Sequence, residues 1–288
     1  MPFARRFRRA LRNRRRRARS LRRRQRGQKT QDQWRDLHSA FVLSTGRTGT
    51  ATLTELFDHV PDAVAFHEPP PQLLRERMEA RYEIAGAPDR YWTIFARARG
   101  VRLLRARETG QQYVETSARL TFFAPVIHER MPNARFLYVH REPWDVVRSG
   151  MRRGWYQDHP NDPVRIRPVP GEPAYERWGS MSRFEKICWY WAAYNRFALD
   201  FYDRVGGDRV LKVRATDLFS GAALPEIFSF LGLNLPAEQV LQRELDAQHN
   251  AQHKAHFPEA DAWTPEQRAA LEAFAGPEMR RLGYELPA

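Results

Sequence analysis

Two short segments carry side chains suited to holding anions. The first is Ser44-Thr45-Gly46-Arg47-Thr48-Gly49-Thr50. Its glycines let the backbone turn, its amides can face an anion, and Arg47 adds a positive charge. It is not a nucleotide-triphosphate loop of the GxxxxGK[ST] type, because only two residues separate Gly46 from Gly49 and no lysine follows. So short a loop suits one phosphate, or a phosphate joined to a second anion. Taken alone, it serves equally well as a plain turn between strand and helix. The second segment is His140-Arg141-Glu142-Pro143-Trp144-Asp145-Val146-Val147-Arg148-Ser149, with Ser149 eight residues after Arg141. A guanidinium and a hydroxyl can hold a second phosphate away from the first. On its own, Arg141 would equally satisfy helix carbonyls.

The elements around these segments predict where they sit. Ala40-Phe41-Val42-Leu43 is an apolar run that suits a buried parallel strand. After the glycine loop, Leu53, Leu56, Phe57 and Val60 recur at helical spacing. Ala63–Phe66, Tyr113–Thr116, Phe136–His140 and Val210–Val213 read as further strands. Helices are expected between them, the longest face running from Phe184 through Ile187, Trp191 and Ala198 to Tyr202. Thr264 reads as the N-cap of a late helix. Strands alternating with helices predict an α/β fold: a single doubly wound parallel sheet with helices on both faces. Arg141 then lies at a strand's C-terminal end, where such sheets bind ligands. Residues 154–182 hold five prolines and read as a long loop. Its Trp155, Tyr156, Tyr175 and Trp178 either contact a substrate or dock the loop onto the body.

Together the glycine loop and the Arg141…Ser149 pair resemble the PAPS-dependent sulfotransferase family, in its bacterial and carbohydrate-directed branch. Val114-Glu115-Thr116-Ser117, Asn133–Leu137, Val210–Phe219, Phe230-Leu231-Gly232-Leu233 and Leu282-Gly283-Tyr284 resemble later family segments in the same order. The resemblance implies a P-loop-like sulfotransferase fold and transfer of a sulfuryl group from PAPS to a hydroxyl of an unidentified acceptor, such as a sugar, lipid or small molecule. It also implies that Gly46, Arg47, Thr48, Gly49, Thr50 and Ala51 bind the 5′-phosphosulfate end of the donor. Arg141 and Ser149 would bind its 3′-phosphate, and PAP would leave. Arg47 would also act in catalysis, by stabilising charge on the leaving phosphate.

The resemblance further places a proton acceptor after the second strand, where His67-Glu68-Pro69 stands. Glu68 is the expected base, with His67 as its rival. Strict alternation would put the two side chains on opposite faces, so that only one faces the donor. Lys254 lies where the family carries a basic loop over the 3′-phosphate. No metal is expected: His249, His253 and His256 recur at helical spacing, but no acid or cysteine joins them at ligand spacing.

The 288 residues suit one large α/β domain, and the single cysteine, Cys188, cannot make an internal disulfide. A content of 42% hydrophobic residues excludes a wholly disordered chain. The net charge of +14 comes from one end, since residues 1–26 hold 14 arginines and no acid. Removing those from the 48 basic residues leaves 34 against 34 acidic ones, so the body is neutral. We therefore divide the chain into a basic arm, 1–37, expected to be disordered, and a sulfotransferase domain, 38–288. The arm suits anionic membrane or nucleic acid as partner. A cytoplasmic location, peripheral to the membrane, is the expectation. Two alternatives fit parts of the sequence: a P-loop nucleotide kinase, and a nucleic-acid-binding protein acting through the arm.

Overall fold

The computed structural model describes residues 34–247 and 256–286. Its centre is a sheet of β1 (Ser39–Leu43), β2 (Ala63–Phe66), β3 (Gln112–Glu115), β4 (Ala134–His140) and β5 (Val210–Arg214). Their order across the sheet is β2-β3-β1-β4-β5, and every pairing is parallel. The connections from β1 run to one side and those from β4 to the other, so the C-terminal edge near β1 is where such a sheet opens a crevice.

Alternation along the strands separates two cores. On one face Phe41 and Leu43 join Tyr113, Phe136 and Tyr138. These meet helices α3 (Pro88–Thr109) and α6 (Arg183–Val205). On the other face Ala40, Val42, Val114, Leu137 and Val139 meet α1 (Thr50–Asp58) and α8 (Leu224–Leu231). β1 is buried along its whole length, as its unbroken apolar run requires. The remaining helices are α2 (Leu74–Glu83), α4 (Ala124–Arg130), α5 (Pro143–Arg152), α7 (Ala215–Phe219), α9 (Glu238–Asp246) and α10 (Pro265–Arg281). Thr264 caps α10 in a reciprocal arrangement with Gln267.

The body's packing starts earlier than residue 38. Trp34 is buried, meets Trp92 edge-on at 5.8 Å, and lies in the notch left by Gly100. A Cβ at Gly100 would come within 3.1 Å of the indole. The basic run itself, His249, His253 and Lys254 lie outside the described residues. Among the described residues, no helix is long and apolar enough to cross a membrane.

Helix α6 ties the sheet to the loops above it. Ser182 and Glu185 form a capping box that fixes its start. Further along, Tyr190 donates to the Thr45 carbonyl at 2.9 Å, and Trp191 Nε1 donates to the Arg141 carbonyl at 2.9 Å. One helix therefore holds the backbone of both the glycine loop and the Arg141 segment. Trp189 and Trp191 are buried in the core, as their place on the apolar face implies.

Candidate active site

The glycine loop joins β1 to α1 and bends sharply. Gly46, Arg47 and Gly49 all have positive φ, of 78°, 65° and 85°. Successive left-handed residues turn their amides inward, and the first turn of α1 adds N–H groups that the helix leaves unpaired. Thr121 fixes the loop's start: its hydroxyl accepts from Ser44 N and lies 3.1 Å from the Ser44 carbonyl.

A cavity of about 320 Å³ opens beside this loop. Gly46, Arg47, Gly49, Thr50 and Ala51 line it, as does Arg141 from the end of β4. Thr48 and Ser149 do not line it. Thr48 is fully buried beneath the loop. Ser149, on α5, is reached through Arg47, whose Nε donates to its hydroxyl at 3.3 Å. Arg141 Nη1 in turn donates to the Arg47 carbonyl at 3.0 Å. The glycine loop and the Arg141…Ser149 segment are therefore bonded to each other. Arg141 also pairs with Asp145 at 2.7 Å and lies over the Phe219 ring.

Positive charge is concentrated here. Burial, then Arg153 and Arg141, bring the Arg47 guanidinium down to about 10, with Glu68 pulling the other way. Crowding of like charges in a desolvated cleft makes it a candidate site for an anion.

His67 and Glu68 both line the cavity, which corrects the expectation that only one could. β2 ends at Phe66 and Glu68 takes a left-handed φ of 43°, so strand alternation does not extend to this pair. Glu68 forms an ion pair with Arg119 at 2.7 Å. His67 Nδ1 lies 3.1 Å from both the carbonyl and the hydroxyl of Thr116, at the end of β3. A carbonyl only accepts, so this contact puts a proton on Nδ1, and in the neutral ring the lone pair is then on Nε2.

The long loop's aromatics divide between the two readings. Trp155 lines the cavity and meets Tyr190 edge-on at 5.1 Å. Tyr156 and Trp178 dock the loop: Tyr156 donates to the Ile166 carbonyl, and Trp178 packs on Trp189. Tyr175 is exposed. Beyond the undescribed stretch, Phe257 and Glu259 contact Arg148 on α5, which brings that region beside the Arg141…Ser149 helix.

Sequence reasoning missed Arg77, Arg119, Arg153 and Arg165, which also line the cavity. Nothing in the charged stretch of α2 marks Arg77 as buried while its neighbour Arg75 is exposed.

The family description "Sulfotransferase family" matches residues 39–237, more than half of the chain. No curated protein matches by sequence. Among solved structures, a sulfotransferase domain from the curacin biosynthetic pathway aligns with a TM-score of 0.51 at 14% identity, covering 88% of this chain and 100% of that one. The sulfotransferase domain of the Synechococcus PCC 7002 olefin synthase aligns with a TM-score of 0.50 at 16% identity, covering 89% and 98%. A sulfotransferase from Mycobacterium avium gives 0.50 at 14% identity, covering 87% and 78%. These likenesses concern the fold. The sequence match runs from β1 to the residue before α9 and takes in the loop, Glu68, Arg141 and Ser149, so the chain belongs to the sulfotransferase family.

Proposed function

We propose that the protein is a sulfotransferase that uses PAPS as donor and a hydroxyl in the cavity as acceptor. The observation that carries this reading is the joined pair of anion sites, Arg47 on the loop bonded to Ser149, and Arg141 bonded back to the loop. A donor with a phosphosulfate at one end and a 3′-phosphate at the other matches that set. Gly46 to Ala51 would bind the 5′ end through amides and Arg47, and Arg141 with Ser149 would bind the 3′-phosphate. The cradle is closely fitted, since a Cβ on Gly49 would come within 2.7 Å of Phe219.

Arg47 and the first-turn amides of α1 stabilise charge that grows on the leaving phosphate. Glu68 takes the acceptor proton. Its pairing with Arg119 through Oε2 fixes the carboxylate's orientation and leaves Oε1 to face the hydroxyl. A second reading gives that role to His67, whose Nδ1–H on the Thr116 carbonyl leaves Nε2 able to accept.

Labelled PAPS identifies an acceptor and then separates the two. Glu68→Gln is expected to lower kcat by a factor of ~10² to 10⁴ and leave PAP affinity unchanged. If His67→Ala has this effect and Glu68→Gln does not, His67 is the base.

A further inference from the structure

The donor accounts for only part of the positive charge in this cavity. Six arginines line it, Arg47, Arg77, Arg119, Arg141, Arg153 and Arg165, against one carboxylate, Glu68, among the described residues. Glu68 is taken by Arg119, Asp145 by Arg141, and Asp162 by Arg165 at 2.9 Å. Arg77 forms no ion pair or side-chain hydrogen bond among the described residues, and its Nε has no partner although the residue is only 6% exposed. Nη1 of Arg119 and Nη2 of Arg165 are buried and unpartnered as well, in residues 9% and 4% exposed. Glu68 is near enough to favour the Arg77 charge without bonding it, and a buried guanidinium short of hydrogen-bond acceptors is costly unless a ligand supplies them.

These groups come from chain segments other than the glycine loop. Arg77 comes from α2 and Arg165 from the proline-rich loop, and neither belongs to a donor-binding segment. Arg165 is held in place by stacking on Trp155 at 4.4 Å and by Asp162. Burial lowers the pKa of Arg119. Glu68 opposes that shift, and the charge of Arg77 adds to it, so the two guanidiniums are close enough to repel. This part of the lining is thus cationic, with an aromatic ring stacked on Arg165.

We propose that the acceptor is itself an anion: its hydroxyl stands beside a carboxylate, phosphate or sulfate that Arg77 binds, with Arg165 and Arg119 completing the subsite. This inference rests on the sulfotransferase reading of the same cavity. An oxyanion there would supply the missing acceptors for the buried guanidinium nitrogens. It would also fix which hydroxyl meets Glu68. Neutral alcohols would leave the subsite unsatisfied and be rejected.

The test is calorimetric titration with inorganic phosphate and with acetate, on the free protein and on the PAP-saturated protein. With PAP in place, saturable phosphate or acetate binding is expected. Arg77→Gln and Arg77→Met should weaken it at least tenfold, and Arg77→Lys by no more than about threefold. The tighter of the two anions assigns the class, phosphate or sulfate against carboxylate. PAP affinity serves as the control for all three variants, and thermal unfolding confirms that each is folded. Arg77→Met matches the bulk of arginine without its charge, so a packing role for Arg77 would leave anion binding intact in that variant. No saturable binding to the PAP complex, or binding that Arg77→Gln and Arg77→Met both retain, overturns the proposal. Failure of PAP itself to bind strikes the donor reading instead, and the titration of the free protein still reports whether Arg77 holds an anion.

Discussion

Replacing Arg99 with methionine should unsettle both the fold and the segment that carries Glu68. Arg99 is fully buried and grips Glu115 with two hydrogen bonds, of 2.7 and 2.9 Å. Its remaining nitrogen, Nη1, donates to the Pro71 carbonyl at 2.8 Å. Glu115 is also fully buried and accepts from Tyr113 at 2.7 Å. Thr116, the next residue, donates its N–H to Phe66 and holds His67. Arg99 therefore fastens residues 66–71 to β3 from both ends. Removing one partner of such a pair leaves an uncompensated buried charge, at a cost of about 3–5 kcal/mol. That is a large share of the ~5–15 kcal/mol that holds a typical domain together. Arg99→Met with Glu115→Gln should recover most of the loss, because the buried charge is gone and Tyr113 keeps an acceptor. The pH dependence has a definite sign. Burial already pushes the Glu115 carboxyl above its ordinary value of 4.5, against the lowering pull of Arg99 and Tyr113. Without Arg99 the folded state keeps a proton that the unfolded chain releases. Stability of the single variant should then fall as pH rises above 4.5, by up to about 1.4 kcal/mol per pH unit until the folded carboxyl also ionises. Urea unfolding at pH 6 and pH 8 measures both effects. A loss under ~1 kcal/mol, or a double variant no more stable than the single, refutes the reasoning.

Two further outcomes follow from particular contacts. Gly49→Ala forces a left-handed φ of 85° on alanine, costing about 1–2 kcal/mol, and drives a Cβ to 2.7 Å from the Phe219 ring beneath Arg141. PAP affinity should drop at least tenfold by calorimetry and Tm fall by about 2–4 °C per kcal/mol lost; wild-type affinity counts against the cradle. Burial, then Arg214 and Lys212, lower the His140 pKa from 6.5 to about 4, so the unfolded chain takes up a proton first as pH falls. Stability should therefore decline below pH 6.5, by about 2 kcal/mol at pH 5, and His140→Asn should flatten that part of a urea-unfolding pH profile.

The fold was legible because its signals are local. Strands β1, β2 and β4 stand out as short apolar runs, and the alternation with helices gives a parallel doubly wound sheet directly. The glycine loop was legible for the same reason: Gly46 and Gly49 permit the left-handed turns that they adopt. What the sequence could not disclose depends on tertiary packing. Arg77 and Arg75 are two arginines on one charged helix, and only the fold buries the first and exposes the second. The backbone turn at Glu68 breaks strand periodicity within two residues of Phe66, so alternation misplaced the His67–Glu68 pair. Trp34 looks like part of a polar leader, yet it has a matching notch at Gly100, far away in sequence. The link between Arg47 and Ser149 spans 102 residues, and no local pattern announces it.

The most direct test of the donor assignment is a side-by-side calorimetric titration of the protein with PAP and with ADP, repeated with Arg141→Ala. The 3′-phosphate separates the two ligands, and Arg141 with Ser149 is the site assigned to it. PAP should bind at least tenfold more tightly than ADP. Arg141→Ala should weaken PAP by about 2 kcal/mol or more, the scale of a lost charged hydrogen bond in a desolvated site, and so erase most of the preference. Equal affinity for PAP and ADP, or a preference that survives Arg141→Ala intact, would contradict the account.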